Sequence, residues 1–407
     1  MNRTVAALLL LCLMLFAMGP RRAQGASDID LEAIEQEIAR TVERPYSLGG
    51  FLESQPTLFG LDRDAAFYRL RFFDRDEGDL LEQYDFRVRP EATYRRGILS
   101  LFARADLRLR YDYQGWDEQS RLFEGYASLK PSPSLAFDIG KKVARWGKGY
   151  AWNPVAFVDR PKNPEDPEEA LEGFYVATGN VIRSFTGPLQ TLAFTPVILP
   201  VYEHVNDDFG QRNRVNAAAK LYLLLYDTDI DLMAFTGGSR TARYGVDFAK
   251  NLRTNVEVHG EWAYLTNIET RFVNAQGQGF SRTSDAMNYL LGLRYLTAQE
   301  TTFIAEYYYN GTGFTRREVQ DFVTFVDDSD TTFQSTGNPS GLRRGRTLAE
   351  GPYGRPNPMR HYLYFRASQK EPFDILYFTP ALTSIVNLTD GSLNVIPELV
   401  YTEVPPA

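Results

Sequence analysis

From Leu99 to Tyr113 the chain alternates apolar and polar side chains for fifteen residues, and few folds can use such a segment. Leu99, Leu101, Ala103, Ala105, Leu107, Leu109, Tyr111 and Tyr113 form one row. Ser100, Arg104, Asp106, Arg108, Arg110 and Asp112 form the other, with Phe102 its single apolar member. Successive side chains of a strand point to opposite faces, so this segment has one greasy face and one ionic face. Strands of soluble sheets are mostly ~5–6 residues long. A tilted strand that crosses a bilayer needs ~9–11, and extra length can stand clear of the lipid. The segment reads as a transmembrane β-strand with lipid on one side and water on the other.

Aromatic residues make up 14% of the chain, which favours β-structure and interfacial girdles. A hydrophobic share of 43% is too dilute for a helical membrane protein. The one long apolar run, Ala6 to Gly19, follows Arg3 and is too short to span a bilayer. Residues 1–25 read as a secretory signal peptide cleaved after Gly25, with a retained anchor as the alternative. Arg21-Arg22 is an unusual feature of the exit. The single cysteine, Cys12, lies in this run, so the exported chain has no thiol. Removing Arg3, Arg21 and Arg22 leaves 41 basic against 52 acidic residues, a net charge of −11, which argues against a nucleic-acid partner.

Residues 26–45 read as a short N-terminal periplasmic helix. Leu31, Ile34, Ile38 and Val42 fall at helical spacing, and Pro45 ends the run. It either leans into a barrel mouth or is a solvated arm. From Tyr46 the texture becomes strands and turns. FYRLRFFDRDEGD reads as a strand and its turn, and Gln83 to Arg96 alternates cleanly. Strands follow at 122–130, 135–145, 174–185, 189–199, 215–226, 229–236, 243–251, 255–266, 287–295, 302–310, 360–368, 375–386 and 393–401. Longer loops fall at 146–172, 201–213, 267–284 and 311–359, the last rich in Asp, Ser, Gly and Arg and expected to be the most mobile. The fold class is all-β: a closed antiparallel transmembrane β-barrel over 46–407, of about 16 strands (14–18). Closure is expected because lipid offers no partner to edge N–H and C=O groups. The chain stops at TEVPPA rather than on an aromatic strand end, which reads either as a C-terminal truncation, the favoured reading, or as an unconventional end to the last strand.

The least strand-like stretch is 146–172, WGKGYAWNPVAFVDRPKNPEDPEEALE. Pro154, Pro161, Pro164 and Pro167 preclude a strand, and two of the four tryptophans sit here. A loop of this length inside a compact fold is usually functional or disordered. The expectation is a loop folded into the lumen, with an ordered surface loop and disorder as alternatives. The run from Gly140 to Glu169 resembles the G-(R/K)-x-x-x-x-WG-x-x-x-x-x-NP segment of porin-like bacterial outer-membrane barrels, alginate-export-type proteins among them. Gly140, Lys141, Trp146, Gly147, Asn153, Pro154, Asn163 and Pro164 carry the resemblance. It implies a passive outer-membrane pore and transfers no catalytic residue.

The polar faces of the early strands and the insert supply the candidate lumen and constriction residues. These are Arg87, Arg89, Arg104, Arg108, Arg110, Lys141, Lys142, Arg145, Trp146, Lys148, Trp152, Asn153 and Arg160. A free basic ladder would draw anions through a pore. Asp85, Glu91, Asp106 and Asp112 share the face, so cross-strand ion pairing is the competing reading. Glu257, His259 and Glu261 place two carboxylates around an imidazole, but i and i+2 positions lie ~6.6–6.8 Å apart, too wide for one metal ion. His204, His259 and His361 are the only histidines, and none sits in a catalytic pattern. The sequence therefore points to no enzyme, metal or cofactor. It points to an outer-membrane, porin-like channel for diffusion or export of a hydrophilic solute, anionic if the ladder is free. The partners expected are outer-membrane lipid, that solute and the barrel-insertion machinery, with oligomeric state open. The alternative is a non-conducting structural or partner-binding barrel.

Overall fold

The computed structural model describes residues 45–75 and 77–401. The expected signal peptide, the N-terminal helix and the TEVPPA terminus lie outside them.

Sixteen strands form one antiparallel sheet in which each pairs with its successor in sequence. The first eight are β1 (Tyr46–Gly60), β2 (Leu80–Arg96), β3 (Leu99–Asp112), β4 (Gly115–Ser132), β5 (Leu135–Lys142), β6 (Phe174–Ser184), β7 (Leu189–Val201) and β8 (Arg214–Leu225). Then come β9 (Thr228–Thr236), β10 (Arg243–Arg253), β11 (Val256–Val273), β12 (Gly279–Leu296), β13 (Thr301–Asn310), β14 (His361–Gln369), β15 (Phe378–Asn387) and β16 (Leu393–Tyr401). In β3 the greasy row is the open face, with Leu99, Leu101 and Tyr111 exposed, while Asp106 on the ionic row is buried. The same division continues around the sheet: Leu48, Ile139, Leu291 and Leu399 stand more than half exposed on the outer face. Connections at one end are tight, as at 97–98, 133–134, 226–227 and 254–255. The other end carries 61–79, 143–173, 202–213 and 311–360.

The ladder corrects the expectation of a hydrogen-bonded closed barrel: no rung joins β16 to β1 among the described residues. The two ends of the sheet nonetheless meet at one short stretch of chain. Asn394 of β16 donates to Glu165 at 3.2 Å, and Glu168 pairs with Arg87 and Arg89 of β2. Glu165 and Glu168, three residues apart in the 143–173 segment, thus contact β16 and β2 respectively.

Three expectations for the connections are also corrected. FYRLRFF is not a strand, since helix α1 (Ala66–Phe72) buries Ala66, Leu70 and Phe72. The 267–284 loop is mostly strand, because β11 and β12 extend as a tall hairpin. The 311–359 stretch contains α2 (Arg316–Thr336) and α3 (Ser340–Glu350). Thr315 caps α2, accepting from the Glu318 amide while Glu318 accepts from the Thr315 amide. Val319, Phe322, Val326 and Ser329 repeat at helical spacing and are buried. Leu70 of α1 packs where Gly345 of α3 leaves room, and Arg346 of α3 pairs with Asp74 at 2.9 Å.

Tyr353 is stacked between Phe314 (4.3 Å between ring centroids) and Phe322 (4.1 Å). Phe322→Ala should therefore destabilise this helical unit by about 3–5 kcal/mol. Hydrogen exchange over 316–350 should accelerate while β2–β13 stay protected, and uniform acceleration would contradict this local role.

Candidate lumen segment

The 143–173 segment lies against the inner face of the sheet, and strand carboxylates hold its backbone there. An ionised carboxylate only accepts hydrogen bonds, and it has room for several. Glu261 of β11 accepts from the amides of Lys148 and Gly149, both at 2.6 Å, and of Val155 at 3.3 Å. Glu306 of β13 accepts from the Tyr150 and Ala151 amides. Glu124 of β4 accepts from Val143, and Asp159 within the segment accepts from Ala144 (2.6 Å) and Trp146 (2.8 Å). His259 reaches Glu306 at 2.9 Å, and Gly292 between them makes this possible: a Cβ there would sit 2.0 Å from His259 Nε2. Glu257 receives the Tyr150 hydroxyl and lies 3.5 Å from His259 Nδ1, while Glu261 turns to the segment amides.

Apolar contacts fix both flanks of the clamped amides. Trp146 meets Phe157 edge-on at 6.3 Å and shares a buried apolar cluster with Val155, Phe174, Val197 and Leu265. Gly245 on β10 leaves the space that Val155 and Phe157 approach. Trp152 stacks on Tyr308 at 5.2 Å, touches Tyr362 and Tyr364, and donates its indole N–H to Asn357 at 2.9 Å.

The candidate arginines of the early strands, Arg87, Arg89, Arg104, Arg108 and Arg110, are ion-paired. Arg87 meets Glu53 at 2.8 Å and Asp106 at 3.5 Å, and Arg89 meets Asp106 at 2.8 Å. Arg104 bridges Glu91 (2.6 Å) and Glu124 (3.0 Å), while Arg108 and Arg110 share Asp85 at 2.6 and 3.0 Å. Lys141 pairs with Glu172 at 2.6 Å, Lys142 with Asp138, and Lys148 with Asp231 at 2.9 Å. Arg160 pairs with Asp208 at 2.6 Å. Asn153 accepts from the Lys162 amide at 2.6 Å. Arg145 is exposed, at φ +59°, and has no ion pair among the described residues. Sequence reasoning did not single out Glu306, Asp159, Asp231 or Asp247. Asp247 lies opposite Asp231 on one side and Glu261 on the other, a row of inner-wall acids that becomes visible only once strand register is known.

No family model matches the chain, and no curated protein matches it significantly. Among solved structures it is similar to Salmonella typhi OmpF in complex with daunomycin (TM-score 0.48, 11% identity, covering 85% of this chain and 91% of that one). It is similar also to Pseudomonas putida OprB (TM-score 0.47, 8% identity, 91% and 96% covered). A triple mutant of the Rhodopseudomonas blastica porin aligns with TM-score 0.42 at 9% identity, 87% and 99% covered. Likeness at this level assigns no residue.

Glu261→Gln removes one acceptor oxygen from a buried clamp and should cost about 1–3 kcal/mol. Denaturant unfolding measures the loss, and faster proteolysis within 146–172 should accompany it; a variant as resistant as the native chain would show that Glu261 holds nothing. Burial raises the pKa of Asp159, with the Trp146 and Ala144 amides opposing. A raised acid favours folding fully below the ordinary carboxylate range, and that contribution fades as pH rises through the raised value. Asp159→Asn should therefore flatten the fall in thermal stability as pH rises above the ordinary carboxylate range, and an unchanged slope would contradict the assignment.

Proposed function

We propose that this chain is an outer-membrane pore through which a hydrophilic solute diffuses passively, with residues 146–172 narrowing the lumen. One observation carries the reading: the sheet turns apolar side chains outward and an ionic wall inward, and a long non-strand segment is seated against that inner wall. Exposed Leu, Val, Ile and Tyr rows of this extent suit lipid, and a charged interior suits water and solutes. In lipid the free edges of β1 and β16 need partners, so closure of the sheet belongs to the proposal, as does delivery by the barrel-insertion machinery. Tight turns at one end and long connections at the other fit periplasmic and extracellular ends.

Pairing of the early-strand arginines with acids supports a stiff, self-neutralised wall there rather than a free anion ladder. A second reading, a non-conducting barrel, is favoured by the burial of Trp146, Trp152 and Phe157, which plugs part of the interior with apolar contacts.

Planar-bilayer recording separates the two. The folded full-length protein should give a steady ohmic current, and Glu261→Ala combined with Glu306→Ala should make that current larger and noisier. A correctly folded barrel that passes no current would sink the pore and leave the plugged scaffold.

A further inference from the structure

Arg243 differs from the paired arginines of the early strands. It opens β10 on the inward face, two residues beyond Gly245 toward the long-loop end. Its cross-strand neighbours are Phe235 and Leu265, both buried and apolar. Its Nε is buried without a hydrogen bond, and among the described residues its guanidinium has no carboxylate partner.

Two more guanidiniums surround the same corner. Arg240, in the 237–242 turn, lies 3.8 Å from the Phe209 ring centroid and donates to the Phe209 carbonyl. Arg160 covers Phe174 at 4.7 Å, and Phe174 meets Phe209 edge-on at 5.0 Å. Asp208 is the near counter-charge of Arg160 and is half exposed, Glu172 stands farther off at 3.5 Å, and the Arg160 Nε is also buried and unbonded. Burial, then repulsion from Arg243 and to a lesser degree Arg160, brings the pKa of Arg240 down to about 9, with Asp208 opposing. The turn is held in advance. Asn216, 1% exposed, accepts from the Gly238 and Ser239 amides and donates to the Leu199 carbonyl and the Ser239 hydroxyl.

We propose that Arg160, Arg240 and Arg243 form a binding site for a small oxyanion such as phosphate, at the long-loop mouth of the lumen. Buried guanidinium N–H groups left without acceptors, as at Arg243 Nε and Arg160 Nε, are costly, and an oxyanion supplies several acceptors to planar guanidinium forks at once. The inward position keeps lipid headgroup phosphate away and leaves a dissolved anion as the ligand. As a determinant of solute class, the site rests on the pore reading above; as a binding site, it does not.

The test is titration of the folded full chain in detergent with inorganic phosphate, followed by calorimetry and by phosphorus NMR line width. The native protein should bind saturably. Arg243→Gln should bind about tenfold more weakly, with Arg243→Lys between the two. Arg271→Gln, at an exposed position paired with Glu269, should bind like the native chain. Circular dichroism and heat-shifted gel mobility establish that each variant is folded, and Arg160→Gln on the loop serves if Arg243→Gln does not fold. Absence of saturable binding overturns the site, as does native affinity in every folded variant of the three arginines. Because the measurement needs no current, a silent bilayer with intact phosphate binding removes the pore alone, and a conducting barrel blind to phosphate removes the site alone.

Discussion

Backbone that lies inside a protein without regular secondary structure has to find hydrogen-bond partners elsewhere, because each buried amide left unmet costs as much as a lost bond. The 143–173 segment meets this demand with carboxylates. Glu261 and Glu306 together take five amides, and Glu124 and Asp159 take three more. This requirement explains why Glu261 and Glu306, unlike Glu257, which takes no amide of the segment and faces Arg294, have no arginine across the strand. Their acceptor capacity is spent on the segment, so a basic partner would compete with the seating of the loop.

The interior thus has regions of different electrical character. Along β2 and β3, Arg87, Arg89, Arg104, Arg108 and Arg110 each find an acid on their own or a neighbouring strand, as Arg104 does between Glu91 and Glu124. Such ladders stiffen the wall but leave little field for a passing ion. Around β9–β11 the acids Asp231, Asp247 and Glu261 lie in one row with Lys148 as a close cation, and toward the mouth stand Arg240 and Arg243. Uncompensated charge concentrates on that side, which is where selectivity would arise in a pore.

Strand alternation is a local property, and for that reason β3, β6, β9, β13 and β16 could be read from the chain nearly to the residue. The helices of 311–359 were hidden by composition: DDSDTT and STGNPSG look like loop, although Thr315 and Glu318 spell a capping box and Val319, Phe322 and Val326 a helical face. FYRLRFF misleads in the opposite way, since Ala66 and Leu70 sit one helical turn apart and only contact with α3 decides between the two periods. The prolines and tryptophans of 146–172 marked the inserted segment, but its fastenings were not legible. Glu306 is one acid among many in the sequence. Its role follows from sitting across Gly292 from His259, a relation set by register over three strands.

Seating at three places across the wall also decides how such a segment can behave in a pore. Trp146 is sunk into the apolar patch of β6–β11, Trp152 into that of β12–β15, and the clamped amides lie between. Swinging the segment aside would expose both indoles and strip Glu261 and Glu306 of five amides. At about 1–3 kcal/mol for each buried group left unmet, that exceeds what a diffusing solute supplies by binding weakly. The energetics favour a fixed constriction whose width is set by side chains, over a lid that opens and shuts. Under the pore reading, solute size would be discriminated by the rims of 146–172, and solute charge by Arg160 within that segment together with Arg240 and Arg243.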